Sequence, residues 1–266
     1  MTRLSGSQRP VIFGEVLFDL FPDGTAVLGG APFNVAWHLQ GLGLSPLFIS
    51  RVGQDKLGDR ILRSMDEWAM DTSAVFQDPE HPTGRVQVSL QNEQPSFDIV
   101  QNVAYDHIET AMVRRLYANS TYAMLYHGSL IYRMPTSAQS LSLLRQMAPS
   151  IFVDINLRAP WWSKEQINEL LQGINWLKLN EMELQTLTGG AVDENQLIEQ
   201  NARAIYEKYN LQALIVTRGA EGAMLMTAGK TLNVAPVEVD RLVDTVGAGD
   251  GFSAVWLAGL LRGWSY

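Results

Sequence analysis

Three glycines and two aspartates crowd into the eight residues Asp244 to Gly251, directly before Phe252, Val255, Trp256 and Leu260, which recur at helical spacing. A small-residue turn that runs into a helix is an anion site. The first N–H groups of a helix have no intrahelical acceptor, they carry the positive end of its dipole, and glycine lets a phosphate come close. Asp250 then stands beside that phosphate. A carboxylate repels phosphate, so its presence calls for a reason, and taking a proton from an attacking hydroxyl is one. The alternative is a glycine-rich turn in which Asp250 merely caps the helix.

Other residues offer compatible chemistry. Gly29-Gly30-Ala31-Pro32 is a second glycine-rich helix start, followed by an apolar stripe of Val35, Ala36, Leu39 and Leu42, with Pro32 suited to the first turn and Gly43 to the stop. Asn34 falls in that first turn, where it caps the helix or offers a donor and an acceptor to a polyhydroxyl ligand. Glu15 and Asp19 share a face if Val11 to Phe18 is one strand, although Asp19 also reads as a turn carboxylate. Asp154, Asn156 and Arg158 leave the carboxyl end of a strand at Ile151 to Ile155, and alternation points them the same way. Arg158 reads as a surface ion pair or as a contact to phosphate or substrate. Asn180 and Glu183 span a strand-to-helix boundary at i, i+3, which fits a reciprocal cap as well as a place near a metal. Thr217-Arg-Gly219-Ala-Glu-Gly222 follows another core strand, on the edge where the other groups lie. Trp37, His38, Trp161 and Trp162 read as packing residues.

The elements that must position these groups alternate. Strands are expected at Val11 to Phe18, Leu47 to Val52, Tyr122 to His127, Ile151 to Ile155, Trp176 to Leu179 and Ala213 to Val216. Helices are expected at Lys56 to Met70, Thr110 to Tyr117, Thr136 to Met147, after Asn180 up to Gly189-Gly190, and at Asn195 to Tyr209. This is an α/β core with a mainly parallel sheet. A hairpin around Gly229 joins Ala223 to Met226 and Thr231 to Val234. Arg85 to Gln91 and Phe97 to Val103, around a turn at Asn92 to Pro95, form a half-buried hairpin foreign to such a core. It predicts a separate small sheet, joined by Ala26 to Leu28, that covers a site as a lid or pairs with another subunit.

Composition narrows the function. A chain of 266 residues holds one large α/β domain, with or without a small appendage. Lys plus Arg number 20 against 28 Asp plus Glu, a net charge of −8 with no basic run, which argues against nucleic acid. The absence of cysteine excludes disulfides and thiolate metal sites. The start is polar, Glu15 and Asp19 interrupt the apolar stretch after it, and no apolar run approaches the roughly 18 residues of a membrane span, so a cytoplasmic protein is expected. The P-loop, Gly-x-Gly-x-x-Gly, His-Glu-x-x-His and Gly-x-Ser-x-Gly patterns are all missing.

Asp244-Thr245-Val-Gly247-Ala248-Gly249-Asp250-Gly-Phe252 resembles the C-terminal signature of the ribokinase-like (PfkB) carbohydrate kinases. Gly14-Glu15 through Asp19, Gly29-Gly30-Ala31 with Asn34, Asn180-x-x-Glu183 and Thr217-x-Gly219-x-x-Gly222 look like the family's other motifs, in its order. His127-Gly128-Ser129 and Asp154-x-Asn156-x-Arg158 look most like the fructokinase branch. The resemblance implies a single three-layer α/β/α kinase domain over residues 1–266, with lid strands inserted at about 19–30 and 84–104. It implies Asp250 as the base acting on a primary hydroxyl of a sugar, with the N–H groups of Gly247, Ala248 and Gly249 stabilising the transferring phosphoryl group. Asp19, Gly30 and Asn34 would hold sugar hydroxyls, and Arg158 would lie near sugar or phosphate. Asn180 and Glu183 would organise Mg²⁺, Glu183 through water, and the ATP phosphates. Thr217, Gly219 and Gly222 would line the nucleotide. The resemblance also implies ATP, Mg²⁺, activation by a monovalent cation such as K⁺ near Asp244, and a homodimer joined through the lid. Fructose is the expected sugar, with 2-keto-3-deoxygluconate, ribose or another small sugar as alternatives. The family continues beyond this helix with elements that complete the adenine pocket, whereas this chain stops at Gly263-Trp-Ser-Tyr266. That leaves a fragment, a naturally short enzyme or a non-catalytic sugar- or nucleotide-binding protein as expectations.

Overall fold

The structure is a computed structural model that describes residues 9–91, 94–117, 122–189, 195–237 and 245–265. Its centre is a nine-stranded sheet. In chain order the strands are β1 (Arg9–Phe13), β4 (Leu47–Gly53), β5 (Val75–Asp78), β8 (Tyr122–His127), β9 (Ile151–Asp154), β10 (Trp176–Asn180), β11 (Ala213–Thr217), β12 (Ala223–Thr227) and β13 (Lys230–Val234). They lie side by side as β13-β12-β11-β10-β9-β8-β1-β4-β5. All neighbours are parallel except β11 with β12 and β12 with β13, the expected hairpin.

Strands buried on both faces read as near-continuous apolar runs, and the two faces collect different helices. One core joins Val11, Phe13, Leu125 and Val153 to Leu141 and Leu144 of α4 (Pro135–Met147), Ile167 of α5 (Lys164–Leu170) and Ile198 of α7 (Asn195–Lys208). The other joins Ile12, Met124, Tyr126 and Phe152 to Leu39 of α1 (Ala31–Gly41), Ile61 of α2 (Lys56–Glu67) and Ala254 and Leu257 of α8 (Ala248–Arg262). The remaining helices are α3 (Thr110–Tyr117) and α6 (Glu181–Thr188). Helices α1 and α8 therefore share one face of the sheet and pack together.

A second sheet of four strands orders as β3-β2-β6-β7: β2 (Leu17–Leu20), β3 (Ala26–Gly29), β6 (Gly84–Gln91) and β7 (Gln94–Ile99). The small sheet expected from the hairpin is present and Ala26 to Leu28 joins it. Asn92 of the expected turn and Gly190 lie outside the described residues.

Two local expectations fail. The strand Val11 to Phe18 is two strands in two sheets, β1 and β2, because the chain turns at Gly14, whose carbonyl accepts from Ser50 Oγ at 2.7 Å. Glu15 sits in this break, so strand alternation does not relate it to Asp19. Strand β9 ends at Asp154, and Asn156 takes a left-handed φ of 41°, so Asp154, Asn156 and Arg158 do not alternate on one face. Strand β5 and helix α5 were not expected; α5 starts at a Ser163 and Gln166 capping box. Among the described residues no helix is long and apolar enough to cross a membrane.

Candidate active site

The two glycine-rich helix starts meet. Helix α8 begins at Gly247, which has a left-handed φ of 78°; the Ala248 N–H donates to Thr245 O at 3.2 Å and the Gly251 N–H to Gly247 O at 2.9 Å. Asp250 lies in the first turn and does not cap it. Instead its Oδ2 accepts from Asn34 Nδ2 at 2.8 Å, a contact between residues 216 positions apart. Asn34 likewise does not cap α1, whose N-cap is Gly30. Burial pushes the Asp250 carboxyl above the usual carboxylate range and the Asp154 charge adds to this, while Asn34, Lys178 and Arg158 act the other way. The result is a carboxylate that is a stronger base than one in water.

Near Asp250 lies a buried ion pair whose acid, Asp154, is expected at the ligand-binding edge of the sheet and whose base, Lys178, has no such expectation from the sequence. Oδ2 of Asp154, at the end of β9, accepts from Lys178 Nζ of β10 and from Ser253 Oγ of α8, each at 2.7 Å. Lys178 Nζ also lies 3.3 Å from the place a Cβ on Gly249 would take, so an ammonium group touches the first turn of α8. Its positive charge, balanced in large part by Asp154, lies beside the N-terminal end of the helix dipole. The signal was present: Lys178 interrupts the otherwise apolar run Trp176 to Leu179 and is only 6% exposed.

Gly30 closes the other wall. It has φ 109°, and a Cβ there would stand 2.7 Å from Glu15 O and 3.2 Å from Val16 Cα, so any side chain is excluded. Asp19 of β2 lies next to it, with Oδ2 3.6 Å from the Cβ position of Gly29. Burial raises the Asp19 carboxyl and Arg158 lowers it. Burial lifts Glu15 to about 7 and Asp250 adds to the rise, opposed by a backbone N–H, Arg133 and Arg158. Asp19, Glu15 and Asp250 thus all lie within electrostatic reach of the exposed Arg158.

The next strand ends carry a second cluster. Asn180 caps α6: its Oδ1 accepts from the Glu183 N–H at 2.9 Å and Glu183 Oε2 accepts from the Asn180 N–H at 2.8 Å. Glu183 Oε1 accepts from the Leu157 N–H at 2.8 Å, which ties α6 to the segment bearing Arg158. Both Glu183 oxygens therefore serve backbone donors, and burial raises this carboxyl. Thr217 pairs in register with Asn180, and Arg218 reaches back to Glu181 at 2.8 Å, so the Thr217 to Gly222 loop lies against the start of α6. Gly219 and Gly222 have φ of 53° and 88°, and a Cβ on Gly222 would meet Val234 O at 2.0 Å. Asp244 lies outside the described residues. Among the described residues no group of three His, Cys, Asp or Glu side chains could hold a metal. Along the outer side of α8, Phe252, Val255, Trp256, Leu260 and Trp264 line an apolar cavity of about 250 Å³.

Comparison with known proteins bears on this arrangement. The chain is 28% identical to the fructokinase of Escherichia coli over 96% of its own length and 85% of that protein's. It is 30% identical to the 2-dehydro-3-deoxygluconokinase of Bacillus subtilis, over 90% of this chain and 76% of the relative. The crystal structure of Vibrio cholerae O395 fructokinase in a fructose, ADP and calcium ion bound form superposes with a TM-score of 0.81 at 25% identity, covering 97% of this chain and 85% of that one. Arabidopsis thaliana ribokinase superposes with a TM-score of 0.80 at 23% identity, over 97% of this chain and 87% of that one, which shows a common fold. The model of the pfkB family carbohydrate kinases matches residues 13–266, and with the Asp250, Asn34 and Gly30 motifs gathered at one site, the chain belongs to that family.

Proposed function

We propose that this sugar kinase transfers the γ-phosphoryl group of ATP to a primary hydroxyl of a ketohexose, converting fructose to fructose 6-phosphate. The observation that carries the reading is the Asn34 to Asp250 hydrogen bond, which sets a carboxylate of raised basicity at the junction of two glycine-rich helix starts. In this reading Asp250 takes the proton of the attacking hydroxyl as its oxygen bonds to the γ-phosphorus and the bond from that phosphorus to the bridging oxygen of ADP breaks. The start of α8, from Gly247 to Gly249, and the Lys178 ammonium stabilise the charge on the transferring group. Asp19, Gly30 and Asn34 hold sugar hydroxyls, and Arg158 faces the sugar or the phosphate. Thr217, Gly219 and Gly222 line the nucleotide, beside Asn180.

Mg²⁺ fits a site of this kind because it keeps several waters and is held largely by substrate phosphates. Glu183, whose two oxygens already accept backbone N–H groups, would reach such an ion through water. Asp244 would lie near a monovalent cation such as K⁺. The four-stranded sheet acts as a lid. Its exposed Val27 and Phe97 support a homodimer joined through it, which sedimentation equilibrium checks; a monomer at assay concentration contradicts the dimer.

A second reading within the family is a kinase of 2-keto-3-deoxygluconate, supported by the 30% identical Bacillus relative. A coupled ADP-release assay over a panel of fructose, ribose and 2-keto-3-deoxygluconate separates the readings. Fructose is expected to give the highest kcat/KM, and a higher value for the acid would replace the first reading by the second.

A further inference from the structure

An ion pair inside a sheet gives up its hydration, and apolar residues of similar volume serve stability as well or better. Asp154 and Lys178 are such a pair. They face each other in register on β9 and β10, in strands that are otherwise almost wholly apolar, with side chains only 5% and 7% exposed. Charge placed there calls for a use.

The pair lies against the turn that carries Asp250. Asp154 Oδ2 accepts at 2.7 Å from Ser253 Oγ, about one helical turn after Asp250, and the Lys178 ammonium lies 3.3 Å from the Cβ position of Gly249, the residue before it. One charge of each sign is thus fixed beside the first turn of α8, and the two act on the Asp250 carboxyl in opposite directions, Asp154 raising it and Lys178 lowering it. The other groups that face this turn are Asn34 and His38 of α1, Arg158 after β9, Glu15 between β1 and β2, and Tyr126 of β8. Asn34 is neutral, and burial pushes the Tyr126 hydroxyl well up, so neither brings a charge. Arg158 is exposed, so water and salt weaken its pull. Asp154 and Lys178 are buried and held by hydrogen bonds, and their fields are screened far less.

We propose that Asp154 is a positioning residue for the reaction: with Lys178 and Ser253 it forms a charge balance against the first turn of α8 that sets how readily Asp250 takes a proton. The negative member makes Asp250 a stronger base, and the positive member keeps it ionised and ready to accept the proton of the hydroxyl. Ser253 fixes the balance, because it ties the negative member to the helix that carries the base. The role rests on the kinase reading above, in which Asp250 is that base.

The test reads the acid limb of kcat/KM against pH, with ATP and the sugar of the panel that gives the highest rate. The parent is Glu15→Gln, which removes a neighbouring carboxyl that titrates near 7. Asp154→Asn keeps an oxygen for Ser253 and Lys178 but drops the negative charge, and the limb is expected to move to lower pH by roughly one unit. Lys178→Gln drops the positive charge, and the limb is expected to move to higher pH by a comparable amount. Its plateau rate falls as well, but the position of the limb is read apart from its height. The double variant, neutral at both places, is expected to bring the limb back towards the parent. Either single change breaks the same bridge, so a merely structural role moves both limbs the same way or neither. Either of those results overturns the positioning role and leaves the kinase reading standing. Lys178→Gln strands a buried carboxylate. If denaturant unfolding shows that this chain does not fold, Asp154→Asn and the double variant decide, and an Asp154→Asn limb that does not move down overturns the role. A parent and wild-type chain that release no ADP with any sugar remove the role and the kinase reading together.

Discussion

Burial raises the carboxyls of both Asp250 and Glu15, and the Asp250 charge acts on Glu15. Asp250 is held by Asn34, whose donated hydrogen bond favours the charged form. Asn34→Ala removes that support, so the Asp250 pKa climbs further. The acid limb of the kcat/KM profile for fructose then moves to higher pH, and a limb that stays in place would contradict the pairing. Glu15 is raised to about 7 from 4.5, so between those values the folded chain holds a proton that the unfolded chain has lost. Its contribution to stability is complete below about 4.5 and is lost as pH rises to about 7. Glu15→Gln removes the loss, and denaturant unfolding at pH 8 against pH 4.5 is expected to show a relative gain of up to about 3 kcal/mol. Residue types told much of this in advance: a glycine-flanked Asp250 and an Asn34 in a first turn read directly as chemistry. Their meeting did not, because 216 positions separate them and only the packing of α1 on α8 closes the gap.

At the scale of elements, glycines and prolines marked the helix starts correctly, since Gly30 and Gly247 take backbone conformations that other residues resist. The break between β1 and β2 was hidden because the apolar run from Val11 to Phe18 stays buried while the chain changes sheets. Strand β5 has only four residues, too few to show a period. The loop after β11 gives the element-scale prediction. With φ 88° and Val234 O at 2.0 Å from the Cβ position, Gly222→Ala must displace β13 or the loop. A stability loss of about 1–3 kcal/mol is expected by denaturant unfolding, with a raised KM for ATP and an unchanged KM for fructose. A raised fructose KM with an unchanged ATP KM would move this loop away from the nucleotide.

For the whole molecule, alternating strands and helices announced an α/β core, and the period-two hairpin announced a separate sheet. The strand order was not legible, because pairing such as β1 between β8 and β4 is decided by long-range packing rather than by local pattern. Membership of the pfkB family was legible because five short motifs appear in order along nearly the whole chain. The sugar was not, since the groups proposed to hold it, Asp19, Asn34 and Arg158, come from distant segments that only the fold brings near Asp250. The most direct test of the central claim is steady-state ADP release from ATP and fructose by the wild-type chain and by Asp250→Asn. The account predicts fructose-dependent release that falls by ~10²–10⁴-fold in kcat in the variant, which still binds fructose; wild-type turnover by Asp250→Asn, or release that no sugar stimulates, would contradict it.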